Sequence, residues 1–110
     1  MLIRSQDKTI LVNVDNTFNI AIRYTNGAAA IYIGGSSGCC NIAEYSTKVK
    51  AMKVLDMIQE AYADEKLIDY TVYLQQKEIE KMDNSTILAL RNELIKKAVF
   101  QMPEDSEVEV

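Results

Sequence analysis

Histidine is absent from the 110 residues, and that absence alone removes several chemistries. Without imidazole there is no serine or cysteine triad with a histidine base, and no zinc site that needs a His ligand. Cysteine is scarce. Cys39 and Cys40 are adjacent, an unfavourable geometry for bridging each other within a strand, and two cysteines make no disulfide framework. A reducing cytoplasm fits best. An excess of positive charge is missing as well: 12 Lys and Arg stand against 16 Asp and Glu, for a net −4. Four of those acids (Glu104, Asp105, Glu107 and Glu109) lie at the very C-terminal end, so the remainder of the chain is neutral. That argues against a nucleic-acid-binding surface, which displaces counterions with surplus Lys and Arg. No apolar run approaches the ~18–20 residues of a membrane helix. The segment Met1-Leu-Ile-Arg-Ser-Gln-Asp-Lys8 lacks the long apolar stretch of a secretory signal. Neither a membrane nor a nucleic-acid partner is expected, and no cofactor.

What remains is an ordinary globular composition, 48% hydrophobic and 25% charged, of a length that suits one domain spanning residues 1–110. At this size only roughly 60–70% of the unfolded chain's surface is buried, so association between copies would add stability.

Residues 1–45 read as an antiparallel β-meander. Leu2-Ile3-Arg4 is a short strand, Ser5-Gln6-Asp7-Lys8 a polar turn, and Ile10–Val14 a second strand. Asn26-Gly27 between two β-rich runs is the preferred pair of a two-residue hairpin. Its register pairs Thr25 with Ala28, Tyr24 with Ala29, Ile22 with Ile31 and Ile20 with Ile33. Phe18, Ile20, Ile22, Tyr24, Ala29, Ile31 and Ile33 then share the core face, while Arg23 and Tyr32 meet on the other. Gly34–Gly38 is a turn, and Cys39–Glu44 a further strand. Residues 46–63 form an amphipathic helix capped by Ser46 or Thr47, with Ala51, Val54, Leu55, Ile58, Ala61 and Tyr62 in an arc of about 120°. Residues 64–98 read as an inserted helical hairpin turning at Asp83-Asn84-Ser85, although Tyr70-Thr-Val-Tyr-Leu74 has strand propensity. A short strand over 99–103 ends at Pro103, and the acidic tail, 104–110, is expected to fray. The fold class is α+β.

Catalytic machinery is hard to find. Gly34-Gly-Ser-Ser-Gly38 lacks the Lys-Ser/Thr and following helix of a phosphate loop, so it reads as a turn. Cys39 and Cys40 have no neighbouring cation to activate them and read as small buried hydrophobes. The acids are scattered without metal-ligand spacing. A binding protein is favoured over an enzyme. Arg91 falls near the middle of the apolar arc Ile87, Leu88, Leu90, Leu94, Ile95 and Ala98, where an unpaired guanidinium is costly. Two partners suit it: Glu78, roughly level with it on the first arm of the hairpin, or an anion on a ligand. The first arm's own arc (Leu67, Ile68, Tyr70, Val72, Leu74, Ile79, Met82) is too wide for one partner helix, which implies a homo-oligomer joined through the hairpin. Only three arginines exist, Arg4, Arg23 and Arg91, and their planar forks suit diphosphates. Tyr73 and Phe100 are stacking candidates, and Asn92 stands beside Arg91.

Three stretches carry a resemblance: Ile3-Arg-Ser-Gln-Asp-Lys8, then Ile42-Ala-Glu-Tyr-Ser-Thr47 with Ala51-Met-Lys-Val-Leu-Asp-Met-Ile58, and Val99-Phe-Gln-Met-Pro-Glu-Asp105. Together they resemble a family of small proteins of Gram-positive bacteria and their prophages. Val49 stands where that family often has an acidic residue, and the hairpin is an insertion relative to many members. In outline such proteins are similar to phage sponges of nucleotide immune signals, of the Thoeris anti-defence type. The resemblance implies a cytoplasmic, non-enzymatic, homo-oligomeric protein that sequesters a small nucleotide-derived ligand of the cyclic ADP-ribose or cyclic dinucleotide class. Arg91, Asn92, Phe100, Arg23, Tyr73 and Arg4 are the candidate binding residues. The competing expectation is a protein-binding inhibitor or adaptor acting through the hairpin.

Overall fold

The computed structural model describes residues 1–17, 19–35, 38–74 and 83–110. Its strands are β1 (Leu2–Arg4), β2 (Leu11–Asn13), β3 (Asn19–Thr25), β4 (Ala28–Gly35), β5 (Gly38–Tyr45) and β6 (Val99–Gln101). The helices are α1 (Lys48–Leu74) and α2 (Asn84–Ala98), with single 3₁₀ turns at Val14–Asn16 and Asp105–Glu107. The α+β expectation holds. The strands form two three-stranded sheets, β2-β1-β6 and β3-β4-β5, and the C-terminal strand lies parallel to β1.

The hairpin register is the one the Asn-Gly pair dictates: Thr25 faces Ala28, Ile22 faces Ile31 and Ile20 faces Ile33. Asn26 and Gly27 both take positive φ, 51° and 82°, as a type I′ turn requires. Ala29, Ile31 and Ile33 are buried, and Ile20 and Ile22 are half-buried against them. Tyr24 departs from its assignment. It shares the core face but is 59% exposed, because it sits near the hairpin tip on a strand with no further strand beside it among the described residues. Phe18 lies outside the described residues. On β5 the ladder slips between Ile31 and Tyr32, which face Ala43 and Asn41. The bulged Ile42 lets two consecutive residues, Ile42 and Ala43, both enter the core.

Thr47 caps α1, its hydroxyl accepting the Lys50 amide at 3.1 Å. The stripe Ala51, Val54, Ile58 then buries against the sheet, with Ala61 and Tyr62 packed on the same core. The next position of that stripe is a carboxylate, Glu65, and it receives the Met1 ammonium at 3.1 Å. Met1 also binds Asp15, at 3.2 Å. Burial pulls this ammonium's pKa down, but the bonds to Glu65 and Asp15 more than reverse it and leave it raised.

Beyond Lys66, which pairs with Asp15 at 3.5 Å, the helix leaves the body. The expected break near residue 64 does not occur; α1 is continuous for 27 residues, about 40 Å at 1.5 Å per residue. The strand-prone Tyr70–Leu74 stretch is helical, propagated from the turns before it. Helix α2 starts at Asp83, whose side chain accepts the Thr86 amide at 2.7 Å. The cap reading of Asp83 is borne out, whereas Asn84 and Ser85, expected in the turn, are the first residues of the helix. The distal part of α1 and α2 form an arm. The radius of gyration is 16.6 Å and the extents are 57 × 32 × 22 Å, against about 13 Å for a compact chain of this length.

The tail is not frayed. Asp105 accepts the Ser46 amide at 2.7 Å and pairs with Lys50 at 3.4 Å, and Val108 is buried. Lys53 also reaches the Glu109 carbonyl. These acids contact the first turns of α1, which is why the end of the chain is held.

Candidate functional site

The six candidate binding residues are spread over both sheets and both helices. Arg4 ends β1, facing Leu11 and Gln101, while Phe100 faces Ile3 one position earlier. Alternation puts Arg4 and Phe100 on opposite faces of the same sheet. Phe100 packs against the core and lines a cleft of about 200 Å³ with Ala61, Asp64, Lys96 and Val99. Arg23 belongs to the other sheet, on its outer face, with its guanidinium 4.7 Å from the Tyr32 ring centroid. The pairing of Arg23 with Tyr32 is as the register predicts. Tyr73 stands near the end of α1. Arg91 and Asn92 are exposed together on α2. Only this last pair forms a neighbourhood, so a single copy does not gather the six into one pocket.

Arg91 corrects another expectation. Among the described side chains of its apolar arc, Leu88 is 55% exposed and Leu90 and Leu94 are only half-buried. The guanidinium is therefore in solvent, and among the described residues no carboxylate pairs with it. The proposed partner Glu78 lies outside the described residues, as do Ile79 and Met82. Cys39 is exposed and Cys40 half-buried, at the mouth of the β4–β5 turn where little covers them. Among the described residues no three His, Cys, Asp or Glu side chains gather as for a metal ion. No helix among them is long and apolar enough to cross a membrane.

Where polar side chains do converge is the seam between the two sheets. Gln6, in the turn after β1, uses its whole amide: Nε2 donates to the Glu44 and Pro103 carbonyls, each at 3.1 Å, and Oε1 accepts the Glu44 amide at 3.0 Å. Its backbone N–H donates to the carbonyl of the bulged Ile42 at 2.8 Å. Ser5 is buried, accepting the Ile10 amide at 3.0 Å and donating to Asp7 at 2.6 Å. Hydrogen bonds from Ser5 and Thr9 hold the Asp7 carboxylate at a pKa of about 2. Gln101 donates to the Ser5 carbonyl at 3.0 Å. The Tyr45 hydroxyl donates to the Pro103 carbonyl at 2.8 Å, and burial raises its pKa further.

Comparison with protein-family models, curated proteins and solved structures finds no match to this chain. The seam nonetheless says what the three resemblance stretches do here. Gln6, Tyr45, Ser46, Gln101, Pro103 and Asp105 all belong to them, and all meet at this joint. Their chemistry is amides, hydroxyls, carbonyls and the Asp105 carboxylate bonded to one another, which fixes a fold. Sequence reasoning missed the joint because its partners stand 38 to 97 positions apart. The available signal was three polar motifs with no catalytic content.

The other feature is the arm. Tyr70 is 62% exposed, and Ile87 and Leu88 are exposed on α2. The charges at the arm's base are already engaged within the copy: Glu65 holds the Met1 ammonium, Lys66 pairs with Asp15 at 3.5 Å, and Asp64 and Lys96 line one cleft.

Proposed function

We propose that this protein is a homo-oligomeric binding protein rather than a catalyst, and that its copies join through the helical arm. The observation that carries this reading is the arm's exposed apolar set, Tyr70, Ile87 and Leu88, on an element that extends from an otherwise well-packed body. A second copy is the fitting occupant. Antiparallel arms bring the same apolar residues of the two copies together, as a twofold interface requires. Light scattering on the intact chain tests it: the wild type should exceed monomer mass, and Leu88→Lys should lower that mass without loss of helicity. A wild type that stays monomeric at high micromolar concentration sinks the proposal.

The exposed Arg91 favours a second reading of what such an assembly does. Arg91 and Asn92 supply a planar cation and an amide from each arm, which suits the phosphates and ribose or base edge of a small nucleotide-derived signal. The prophage-family resemblance points to the cyclic ADP-ribose or cyclic dinucleotide class, held and withdrawn from a host's signalling. A bound ligand raises the melting temperature of the native state. Cyclic ADP-ribose isomers and cyclic dinucleotides should therefore shift the wild type and leave Arg91→Met unmoved. No shift at millimolar concentration from any of them overturns this reading and leaves the arm pairing standing.

A further inference from the structure

A β-sheet edge exposes unpaired N–H and C=O groups, and soluble proteins blunt such edges by brevity, charge, proline, bulges or a cover. Three of the four edges here are treated in that way. β2 and β6 are three residues long. β5 is bulged, and Gln6 pairs with its Ile42 carbonyl and with both backbone groups of Glu44. The fourth edge among the described residues is β3, seven residues of Asn-Ile-Ala-Ile-Arg-Tyr-Thr without proline, lysine or bulge. Its one charge is turned inward: Arg23 lies over Tyr32 of the adjacent strand β4, away from the edge.

Register decides which groups point outward. In a ladder closed by a two-residue turn the flanking pair, Thr25 and Ala28, exchanges both hydrogen bonds. Alternation then directs the N–H and C=O of Asn19, Ala21, Arg23 and Thr25 to β4, and those of Ile20, Ile22 and Tyr24 to the open edge.

We infer that this edge takes the β3 strand of a second copy, antiparallel and centred on Ile22. The strand is self-complementary about that residue. Ile22 meets its own equivalent, Ile20 meets Tyr24, Ala21 meets Arg23, and Asn19 meets Thr25. Every outward group falls opposite another, about six hydrogen bonds in all. The side chains agree with the backbone. The exposed Tyr24 of each copy comes to lie beside the half-buried Ile20 of the other. Ile20 is also the wall of an open apolar cleft of about 370 Å³ that reaches Leu55 and Ile58 of α1. On the opposite face the Arg23 position falls opposite the small Ala21, its guanidinium staying over Tyr32 of its own copy, and no like charges oppose. Two three-stranded sheets become one of six strands.

This surface is separate from the arm, and the test keeps the two apart. In the full chain carrying Leu88→Lys, which removes arm pairing, sedimentation velocity should still find a dimer. Ala21→Lys, placed opposite Arg23, should raise its dissociation constant about tenfold, and Ala21→Glu should lower it about threefold. Adding Arg23→Glu to Ala21→Lys should restore the dimer, which rules out misfolding as the cause of the loss. A Leu88→Lys chain that is wholly monomeric overturns the inference and leaves the edge to an extended segment of another protein. Lys and Glu at position 21 acting alike also overturns it, because the register then has no Arg23 opposite.

Discussion

The body and the arm of this molecule are held by different kinds of interaction. In the body, contacts link residues from about half to nearly a full chain length apart: Gln6 to Pro103, Gln101 to Ser5, Tyr45 to Pro103, Ser46 to Asp105. Among the described residues of the arm there are local bonds, the Asp83 cap and the Lys96–Glu93 pair three residues apart. A structure built on long-range bonds loses everything together when one is cut, whereas locally bonded helix frays by itself. The body therefore sets the stability of the fold, and the arm is free to present a surface.

The largest expected effect follows directly. Ile31 is fully buried at the centre of β4, and Ile31→Ala should cost about 2–4 kcal/mol in urea denaturation. Leu88→Ala in the arm should stay within about 0.5 kcal/mol, measured below the concentration at which copies associate. Equal losses at the two sites would break the distinction. Next comes the seam. Gln6→Ala strands the Glu44 amide and frees two carbonyls, and should cost about 2 kcal/mol. Gln6→Glu sets a carboxylate oxygen against the Glu44 and Pro103 carbonyls and should cost more than alanine.

Legibility in the sequence divides along the same line. The β3–β4 register, the Arg23–Tyr32 contact, the Thr47 cap and the buried stripe of α1 each depend on residues within about ten positions of one another, the range over which turn chemistry and periodicity operate. The pairing of β6 with β1, the ordered tail and the Gln6 joint depend on partners far along the chain, which no local pattern encodes. The arm misled for a different reason. Periodicity found the apolar residues of α2, but an apolar arc says that something must cover it and not that the same copy does. Hence Arg91, read as intruding into a packed interface, stands in solvent. The candidate binding residues were chosen by chemical type, one at a time, and types carry no information about convergence.

Helix caps sharpen the comparison at about 1 kcal/mol. Thr47 and Asp83 perform the same task for α1 and α2. Thr47→Ala should lower global stability, since the first turns of α1 are tied to the tail through Ser46, Lys50 and Asp105. Asp83→Ala should leave the urea midpoint nearly unchanged and shorten hydrogen-exchange protection in the first turn of α2 alone. Loss of protection across both helices in Asp83→Ala would mean that the arm and body unfold as one unit.

Acid is the gentlest probe, and it reaches both regions through carboxylates of known direction. Hydrogen bonds from Ser5 and then Thr9 bring Asp7 from 3.8 to about 2 in the folded chain. A folded pKa below the unfolded one means the carboxylate's contribution is complete above about pH 4 and disappears as the pH falls toward 2. Asp83 is lowered too, first by its hydrogen bond to Thr86, so its cap weakens below its ordinary pKa of 3.8. The two protonations have unlike consequences. Asp7 stiffens the turn that carries Gln6 into the seam, so its loss should appear as a lower melting temperature between pH 4 and pH 2. Asp7→Asn should flatten that slope while Asp83→Asn leaves it in place, because a frayed helix start in the arm draws no long-range bond with it. If Asp83→Asn flattens the slope as much, the acid response belongs to the whole chain and the arm is not the independent element that its local bonding describes.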